Sequence, residues 1–393
     1  MRVALLFDHF GPYHLARLRG AAAAGLAVTG VEFYARSRDY AWAPSDTAGL
    51  PVETVCRGAE MTKAEFRAAL WALLDRLQPD AVTIPGWAGR DAMTALLWCQ
   101  TRQVPAIMMS ESCAHDEVRT GWKEGVKRMI LACCPAALAG GSLHQAYLEE
   151  LGLKNEQISL GYDAVDNGYF AEGARQAREK AGRDRPGLFL ASARFIEKKN
   201  LPRLVAAYAR YRQAVRAGGA ASKEPWSLLL LGDGELRPAL EAQVAELGLQ
   251  GCVSMPGFLQ YEELPGFYAR ASAFIHASTT EQWGLVVNEA MASGLPVLVS
   301  NRCGSAADLV KEGINGFTFD PQDQEAMTRG MIRLASLPAD ELIRFGQASR
   351  EIVAQWGPER FGRGLREAAE RAVKSTHRAG WQNRMLVKLL SSR

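Results

Sequence analysis

The chain has 393 residues, of which 48% are hydrophobic and 23% charged, and its formal net charge is +3. This balance is typical of globular proteins, and the length predicts two or three domains. The small net charge gives no support to nucleic-acid binding. No run of 18 apolar residues predicts a membrane span. The first strand-like segment lacks the apolar core and cleavage site of a signal peptide.

The cysteines give information about the redox compartment. Seven occur at scattered positions, without a C-x-x-C pair. An odd number with irregular spacing favours reduced, mostly buried thiols over a disulfide framework or a zinc site. We therefore expect a cytoplasmic protein.

Apolar strand-like runs alternate with amphipathic helical patterns along the chain. Helical patterns begin, for example, at Lys63 (KAEFRAALWALLDRL) and Arg203 (RLVAAYARYRQAV). The strand-like runs are mostly continuous, which predicts parallel strands buried on both faces, and the alternation predicts doubly wound α/β sheets. In chain order these runs are RVALLFD, AVTGVEFY, DAVTIPG, VPAIMMS, AALAGG, GLFLASA, SLLLLGDG, ASAFIHAS and PVLVSN.

A polar, charged segment at 171–187, AEGARQAREKAGRDRPG, interrupts this alternation, and a new strand follows it. We therefore predict one Rossmann-like domain at 1–170, a second at 187–355 and further helices at 356–393. Ligands of such sheets bind beyond the carboxyl ends of the strands, so two such domains suggest a cleft between them.

The segment EQWGLVVNEAMASGLPVLVS places two glutamates eight positions apart, around a helix start. Residues 283–293 favour helix, and the Gly-Leu-Pro that follows ends it. Free backbone N–H groups at a helix start bind phosphate. Glu281 precedes the helix and Glu289 lies two turns inside it, where both could accept hydrogen bonds from sugar hydroxyls. The N–H groups at the helix start belong to Gly284, Leu285 and Val286.

Two cations follow the first strand of the second domain. Arg194 and Lys199 lie in SARFIEKKN, where strand ends gather, and an Arg fork with a Lys point charge can bracket a diphosphate. Lys198 is interpreted as a solvated charge. Gly232 and Gly234 follow another strand, but their G-x-G-x-x-R pattern lacks the third glycine of the dinucleotide fingerprint.

These segments resemble the retaining glycosyltransferases of family 4, which have the two-domain GT-B fold. The resemblance covers residues 188–323 best. It depends on SARFIEKKN, LLLLGDGEL, VSMPGFL and above all STTEQWGLVVNEAMASGLPVLVSNRCGSAADLVKEGINGF, which contains the E-x7-E pair.

The resemblance implies a role for each matching residue. Arg194 and Lys199 would hold the nucleotide diphosphate, Glu281 the donor sugar and Glu289 the ribose. Phe258 would lie beside the nucleobase. The N–H groups of residues 284–286 would bind the sugar and phosphates. The family commonly has Pro-Phe where this chain has Gln282-Trp283, which puts the shape of the sugar pocket in doubt.

The same resemblance implies a metal-independent mechanism and no cofactor. Fixed cations and helix N–H groups stabilise the charge that grows on the leaving diphosphate. The chain has no D-x-D sequence of the kind that holds a metal. In the family's favoured proposal the departing phosphate oxygen takes the acceptor's proton on one face of the sugar.

The first domain is expected to bind the acceptor. His115 follows the strand VPAIMMS, in a region where the family often has a functional histidine, and His14 is the alternative. Gly11, in the first strand-to-helix loop, could approach the donor phosphates or the acceptor. Trp87 could stack on an acceptor sugar, although a packed tryptophan is the simpler interpretation.

The last part of the chain is basic and has no acid after Glu370. One interpretation is contact with an anionic membrane surface, where lipid-linked acceptors reside. The other is a helix that packs back across the first domain, which we favour up to about Val373. The basic residues are Arg371, Lys374, Arg378, Arg384, Lys388 and Arg393.

Together these observations predict a hexosyltransferase that uses a nucleotide sugar. UDP is the expected nucleoside diphosphate of this donor. A bacterial polysaccharide, a lipid-linked glycan and a small molecule all remain open as acceptors. Alternatives are a nucleotide-sugar-binding protein without catalysis, or a GT-B epimerase or phosphorylase. A nicotinamide dehydrogenase is excluded because no complete G-x-G-x-x-G follows the first strand.

Overall fold

The structure is a computed structural model, and it describes residues 1–36, 47, 49–58, 61–181, 187–218 and 224–392. The chain divides into two compact units. Unit 1 contains Met1–Val165 and Trp356–Arg393, and unit 2 contains Asp166–Gln355. Within the described ranges, no helix is both long and apolar enough to span a bilayer.

Unit 1 is built on a seven-stranded parallel sheet. The strand order is β3-β2-β1-β4-β5-β6-β7. Its strands are β1 (Arg2–Phe7), β2 (Ala27–Tyr34), β3 (Val52–Cys56), β4 (Ala81–Pro85), β5 (Ala106–Ser110), β6 (Ala136–Ala139) and β7 (Ile158–Leu160). The helices between them are α1 (Pro12–Ala23), α2 (Lys63–Leu77), α3 (Arg90–Arg102), α4 (Gly121–Leu131) and α5 (Ser142–Glu150).

Unit 2 has a second parallel sheet, of six strands, in the order β10-β9-β8-β11-β12-β13. Its strands are β8 (Leu188–Ser192), β9 (Ser227–Leu231), β10 (Val253–Gly257), β11 (Ala273–His276), β12 (Val297–Ser300) and β13 (Gly316–Phe319). Its helices are α6 (Asn167–Ala181), α7 (Leu201–Arg216), α8 (Arg237–Glu246), α9 (Leu264–Arg270), α10 (Leu285–Ala292), α11 (Ala306–Leu309), α12 (Gln324–Ala335) and α13 (Ala339–Val353).

Two further helices, α14 (Pro358–Lys374) and α15 (Trp381–Ser392), complete unit 1. Phe361 and Leu365 of α14 are fully buried in a core shared with Leu15 and Leu18 of α1. Helix α15 packs on α3 through Val387. Burial of these apolar side chains accounts for the position of both helices against the sheet of unit 1.

The order of the strands reverses once in each sheet. In unit 1 the chain moves outward from β1 to β2 and β3 and then returns to β4 on the other side of β1; β8 and β11 have the same relation in unit 2. The loops after two such strands diverge to opposite faces of the sheet and leave a crevice at their carboxyl ends. These two reversals are therefore the places to look for a ligand site.

The α/β fold predicted from the sequence is confirmed, and all nine predicted strands are present. The sequence did not reveal β3, β7, β10 and β13, which are short or contain polar residues and glycine. The segment 171–187 differs from the prediction of a polar boundary, because it is helical within α6 as far as Ala181. Residues 182–186 of that segment lie outside the described residues.

Candidate active site

The loops after β8 and β11 meet at the strand reversal of unit 2. Three hydrogen bonds connect them: the backbone N–H and the Oγ1 of Thr279 donate to Lys198 O over 2.9 and 3.2 Å, and Asn200 Nδ2 donates to Ala277 O over 3.1 Å. Asn200 has a φ of 57°, a left-handed conformation that asparagine tolerates. The two loops therefore hold each other in place, with Lys199 between the connected residues.

Lys199 and Glu281 form an ion pair across these loops, between Nζ and Oε2. Both side chains are 12% exposed. The Nε2 atom of His276 lies 3.4 Å from the same Oε2 atom, and Ser278 Oγ donates to it over 3.3 Å. One carboxylate oxygen of Glu281 thus receives a cation, an imidazole and a hydroxyl, which fix its position at the edge of the sheet.

This arrangement determines which groups carry charge. Burial opposes ionisation of Glu281, but the hydrogen bond from His276 and the charge of Lys199 outweigh it, so the pKa of Glu281 lies well below its ordinary value. Burial also lowers the pKa of His276, which is 3% exposed. Near pH 7 Glu281 is therefore a carboxylate and His276 a neutral imidazole.

The amino-terminal end of α10 begins directly beside the ion pair. Gly284 caps the helix with a φ of 91°, and a Cβ atom there would lie 2.8 Å from Cys303 Sγ and 3.3 Å from Glu281 Cγ. Only glycine fits this turn without strain. The first N–H groups of α10 have no acceptor within the helix and can bind an anion. These N–H groups thus lie next to the hydrogen-bonded carboxylate of Glu281.

Trp283, which departs from the family pattern, is directed into the protein interior. Its side chain is 1% exposed, and Nε1 donates to Asn288 Oδ1 over 2.8 Å. Its carbonyl accepts hydrogen bonds from Cys303 Sγ and from the backbone N–H of Ser305. These contacts therefore fix the backbone of Trp283 at the start of α10.

Glu289, the second acid of the E-x7-E pair, has a different environment. It is 1% exposed, and its Oε2 accepts a hydrogen bond of 2.6 Å from Tyr268 Oη. The rings of Phe170 and Tyr261 also lie in this region, with Phe170 packed on both tyrosines. The proposed contact with a ribose would thus involve a carboxylate that already accepts a phenol hydrogen bond.

The other predicted residues of unit 2 follow the carboxyl ends of strands β8, β9 and β10. Arg194 is exposed and lies two residues beyond β8, and Phe258 follows β10 and is 40% exposed. Gly232 has a φ of 125°, and a Cβ atom there would lie 1.9 Å from Ala193 O. The loop after β9 therefore lies against the loop that carries Arg194. Two backbones can approach this closely only where one of them has glycine.

In unit 1, the predicted Gly11 caps α1. Its N–H donates to His14 Nδ1 over 3.1 Å. Burial, assisted by the charge of Arg17, lowers the pKa of His14 well below its ordinary value, so the ring is neutral. His14 packs on Phe7 with ring centroids 4.3 Å apart. These contacts give His14 a structural role at the start of α1.

His115 and Trp87 lie elsewhere in unit 1. His115 follows β5 and is half-buried, with Nε2 at 3.6 Å from Cys113 Sγ. Trp87 is half-buried against the edge of Tyr147, with the ammonium group of Lys127 5.6 Å from its ring centre. These contacts therefore support the interpretation that Trp87 packs within unit 1 and does not stack on an acceptor sugar.

The described residues were also compared with what a metal site requires, since a metal could share the charge of a diphosphate. Among the described residues, no group of three or more His, Cys, Asp or Glu side chains is arranged so that it could hold a metal ion. The positive charge that the structure brings to the site of unit 2 belongs to Lys199, with Arg194 and Lys198 on the same loop.

Four residues of the site escaped the sequence analysis, namely Asn200, His276, Ser278 and Thr279. Three of them belong to the loop that precedes Glu281, or to the strand end before it. One signal was available: His276 is a polar residue near the end of the otherwise apolar run ASAFIHAS. Ligands of parallel sheets bind at the carboxyl ends of strands, so a polar residue at that place is a candidate.

The two parallel-sheet units define a protein of the GT-B glycosyltransferase fold. Residues 174–352 match the family described as glycosyl transferases group 1. This matching segment includes Lys199, Glu281 and Glu289.

Two similar proteins are bacterial glycosyltransferases. The chain is 29% identical over 269 residues to the lipopolysaccharide core biosynthesis glycosyltransferase LpsE of Rhizobium meliloti, an alignment of 64% of this chain and 74% of LpsE. It is 26% identical to the amylovoran biosynthesis glycosyltransferase AmsK of Erwinia amylovora, over 58% of this chain and 54% of AmsK.

A solved structure extends the likeness to the whole fold. The crystal structure of HepE from Anabaena in complex with UDP and glucose superposes with a TM-score of 0.70 at 16% identity. The superposition covers 93% of this chain and 98% of HepE. At this identity the comparison establishes the fold.

Proposed function

We propose that this protein transfers a hexose-type sugar from a nucleoside diphosphate donor to an acceptor hydroxyl, with retention of configuration. The observation that carries the proposal is the ion pair of Lys199 and Glu281 beside the start of α10. A cation and free N–H groups suit a diphosphate, while a carboxylate that is ionised by its surroundings suits sugar hydroxyls. We also propose that the chain is a family 4 enzyme and that Glu281 and Glu289 are the two acids of the family's E-x7-E motif.

Each group has a distinct part in the reaction. Lys199, with Arg194 on the same loop, neutralises the diphosphate as the bond between its oxygen and the anomeric carbon breaks. The N–H groups of Leu285 and Val286 bind the same charge. The acceptor oxygen forms the new bond on the same face of the sugar, and its proton passes to the departing phosphate oxygen. Glu281 orients the sugar and is not consumed.

Glu289 and Phe258 are proposed to bind the nucleoside. Phe258 presents an exposed ring that can stack on a base. The buried Glu289 would receive a ribose hydroxyl in addition to Tyr268 Oη, which its carboxylate has lone pairs to accept. UDP is the proposed carrier, since HepE was solved in complex with UDP and glucose.

Unit 1 is proposed to bind the acceptor, with Gly11 and His115 as its candidate residues. The names of LpsE and AmsK refer to lipopolysaccharide core and amylovoran biosynthesis. A glycan or lipid-linked acceptor of a polysaccharide pathway is therefore proposed over a small molecule. The enzyme would act in the cytoplasm and require no metal, because its own cations face the diphosphate.

Incubation of the chain with UDP-, GDP- and ADP-sugars tests the proposal. Slow release of a free nucleoside diphosphate from one donor, unchanged by EDTA, is the expected result. Binding of a donor without release of the diphosphate, even with glycan acceptors present, would instead indicate a sugar-nucleotide-binding protein. The anomeric configuration of the product, measured by NMR, decides between retention and inversion.

A further inference from the structure

Helix α15 has apolar residues on two opposite faces. Its inner face, with Leu386, Val387 and Leu390, packs on the core of unit 1. The outer face has large apolar side chains at positions 381, 385 and 389. Trp381 is 70% exposed, Met385 62% and Leu389 54%.

The spacing of the outer residues makes them a continuous stripe. Residues four apart lie on the same side of a helix, so the outer stripe of Trp381, Met385 and Leu389 extends along the full length of α15. A surface helix of a globular protein ordinarily has one apolar stripe, which faces the core. The inner face of α15 already fulfils that role, and packing within unit 1 therefore does not account for the outer stripe.

Positive charge accompanies this stripe. Arg384 and Lys388 are exposed on the side of α15 that adjoins Met385 and Leu389. From residue 372 to residue 393 the sequence has no Asp or Glu, and its charged side chains are Lys374, Arg378, Arg384, Lys388 and Arg393. The outer face of α15 therefore combines apolar area with an unbalanced positive charge.

These two properties select among the possible occupants of the face. A second copy of the chain would bring the same uncompensated cations against each other, which charge repulsion disfavours. An anionic lipid surface complements the cations and also accepts the apolar side chains below its headgroups. Tryptophan, at the start of the stripe, is the residue that most favours the boundary between headgroups and acyl chains.

We propose that the outer face of α15 docks on the anionic surface of a lipid bilayer. The helix, about 18 Å long, lies in the plane of the interface. Trp381, Met385 and Leu389 insert to a depth of about 5–10 Å, while Arg384 and Lys388 remain at the level of the phosphates. The contact is peripheral and reversible, and it holds unit 1 at a membrane.

Flotation of the full chain with lipid vesicles tests this docking, with neither nucleotide nor sugar present. Vesicles of phosphatidylcholine alone are compared with vesicles that also contain phosphatidylglycerol. The chain is expected to float with the anionic vesicles and to be released by high salt, since salt screens the charges. Failure to float with anionic vesicles, or equal binding to both kinds, overturns the proposal.

Variants of exposed positions distinguish docking through the outer stripe from nonspecific hydrophobic adsorption to vesicles. The triple variant Trp381→Ser, Met385→Ser, Leu389→Ser is expected to lower the vesicle partition coefficient about tenfold or more. Lys388→Gln is expected to lower the partition coefficient about fivefold, because the variant loses one positive charge at the depth of the lipid phosphates. The matched control is Leu247→Ser, Ile314→Ser, Ile343→Ser, which removes three exposed apolar side chains of unit 2 and is expected to bind as the parent does.

Two outcomes would contradict the assignment of this face to lipid. One is a stripe variant that binds anionic vesicles as tightly as the parent, with an unchanged circular dichroism spectrum. The other is a parent that sediments as a dimer and becomes monomeric in the stripe variant without any vesicle binding, which would assign the face to a second copy. Donor hydrolysis measured in solution is expected to be equal in the parent and both triple variants.

Discussion

The strand reversals of the two units have different surroundings. In unit 1 the backbone N–H groups of the loop after β1 donate to protein groups: Gly11 donates to His14 three residues on, and Phe10 donates to Glu32 of the adjacent strand β2. In unit 2, Lys199 and Glu281 come from two different loops and pair with each other at the reversal. Backbone groups with such protein partners stabilise the loop, whereas charged side chains that meet from separate loops can be shared with a ligand.

The comparison predicts its largest effect at Lys199. Replacement by glutamine removes the cation that faces the diphosphate and is expected to lower kcat for donor hydrolysis about 1000-fold. Lys198→Gln, on the adjacent residue, is the matched control and is expected to remain within about twofold of the parent, as for a solvated charge. A Lys199→Gln variant with near-parental kcat and an unchanged melting temperature would remove the basis of the donor site.

A second prediction concerns the two histidines of unit 1. His115→Ala is expected to reduce kcat for transfer about 100-fold if His115 takes part in catalysis. His14→Ala removes the acceptor of the Gly11 N–H and is expected to lower the free energy of unfolding by about 1 kcal/mol. Transfer kinetics and urea unfolding of both variants test whether His115 has the catalytic role and His14 the structural role. The reverse result, with transfer lost only in His14→Ala, would make His14 the functional histidine.

The next effect concerns the start of α10. In Gly284→Ala the added methyl group meets Cys303 Sγ and Glu281 Cγ at a positive φ, so donor KM is expected to rise about tenfold. Gly313→Ala is the control: its φ of 71° imposes a similar backbone strain, of about 1 kcal/mol, but no atom lies within 4 Å of the new methyl group. Equal donor KM values for the two variants would show that the space beside Gly284 is not needed.

The smallest expected effect is the pH dependence that His276 causes. Its pKa is lowered in the folded state from an ordinary value of 6.5. As pH falls below 6.5, the unfolded chain therefore binds a proton that the folded chain does not, and stability decreases. Urea unfolding between pH 7 and pH 5 should show a steeper loss for the parent than for His276→Gln. Parallel curves for the two proteins would show that His276 titrates normally in the fold.

The acid of the ion pair has its own pH window. The pKa of Glu281 is lowered from 4.5, so its contribution to stability is present above that value and is lost as pH falls below it. The difference between the parent and Glu281→Gln is therefore expected to be constant from pH 7 to pH 5 and to change below about pH 4.5. The two windows separate the effects of His276 and Glu281.

Much of this architecture follows from local sequence, because local physical rules determine it. Continuous apolar runs predicted the central strands of both sheets, and Gly294 with Pro296 predicted the end of α10. The helix-favouring stretch predicted a start at Trp283, whereas α10 begins at Leu285 and Gly284 is its cap. Helix α6 was missed because its polar composition and charge resemble those of a linker.

The contacts of the site could not be predicted, because they join residues distant in the chain. Lys199 and Glu281 are 82 positions apart, and only the parallel pairing of β8 with β11 brings them together. The hydrogen bond from Tyr268 to the buried Glu289 likewise joins residues of two different helices, α9 and α10. Sequence analysis thus identified candidate residues, and the fold determined which of them pair.

The most direct test of the donor site is a crystal structure of the chain with UDP bound. We expect the diphosphate oxygens to lie within about 3.5 Å of Lys199 Nζ and of the backbone nitrogens of Leu285 and Val286. A UDP molecule that occupies another part of the chain, with the Lys199–Glu281 pair undisturbed, would contradict this expectation.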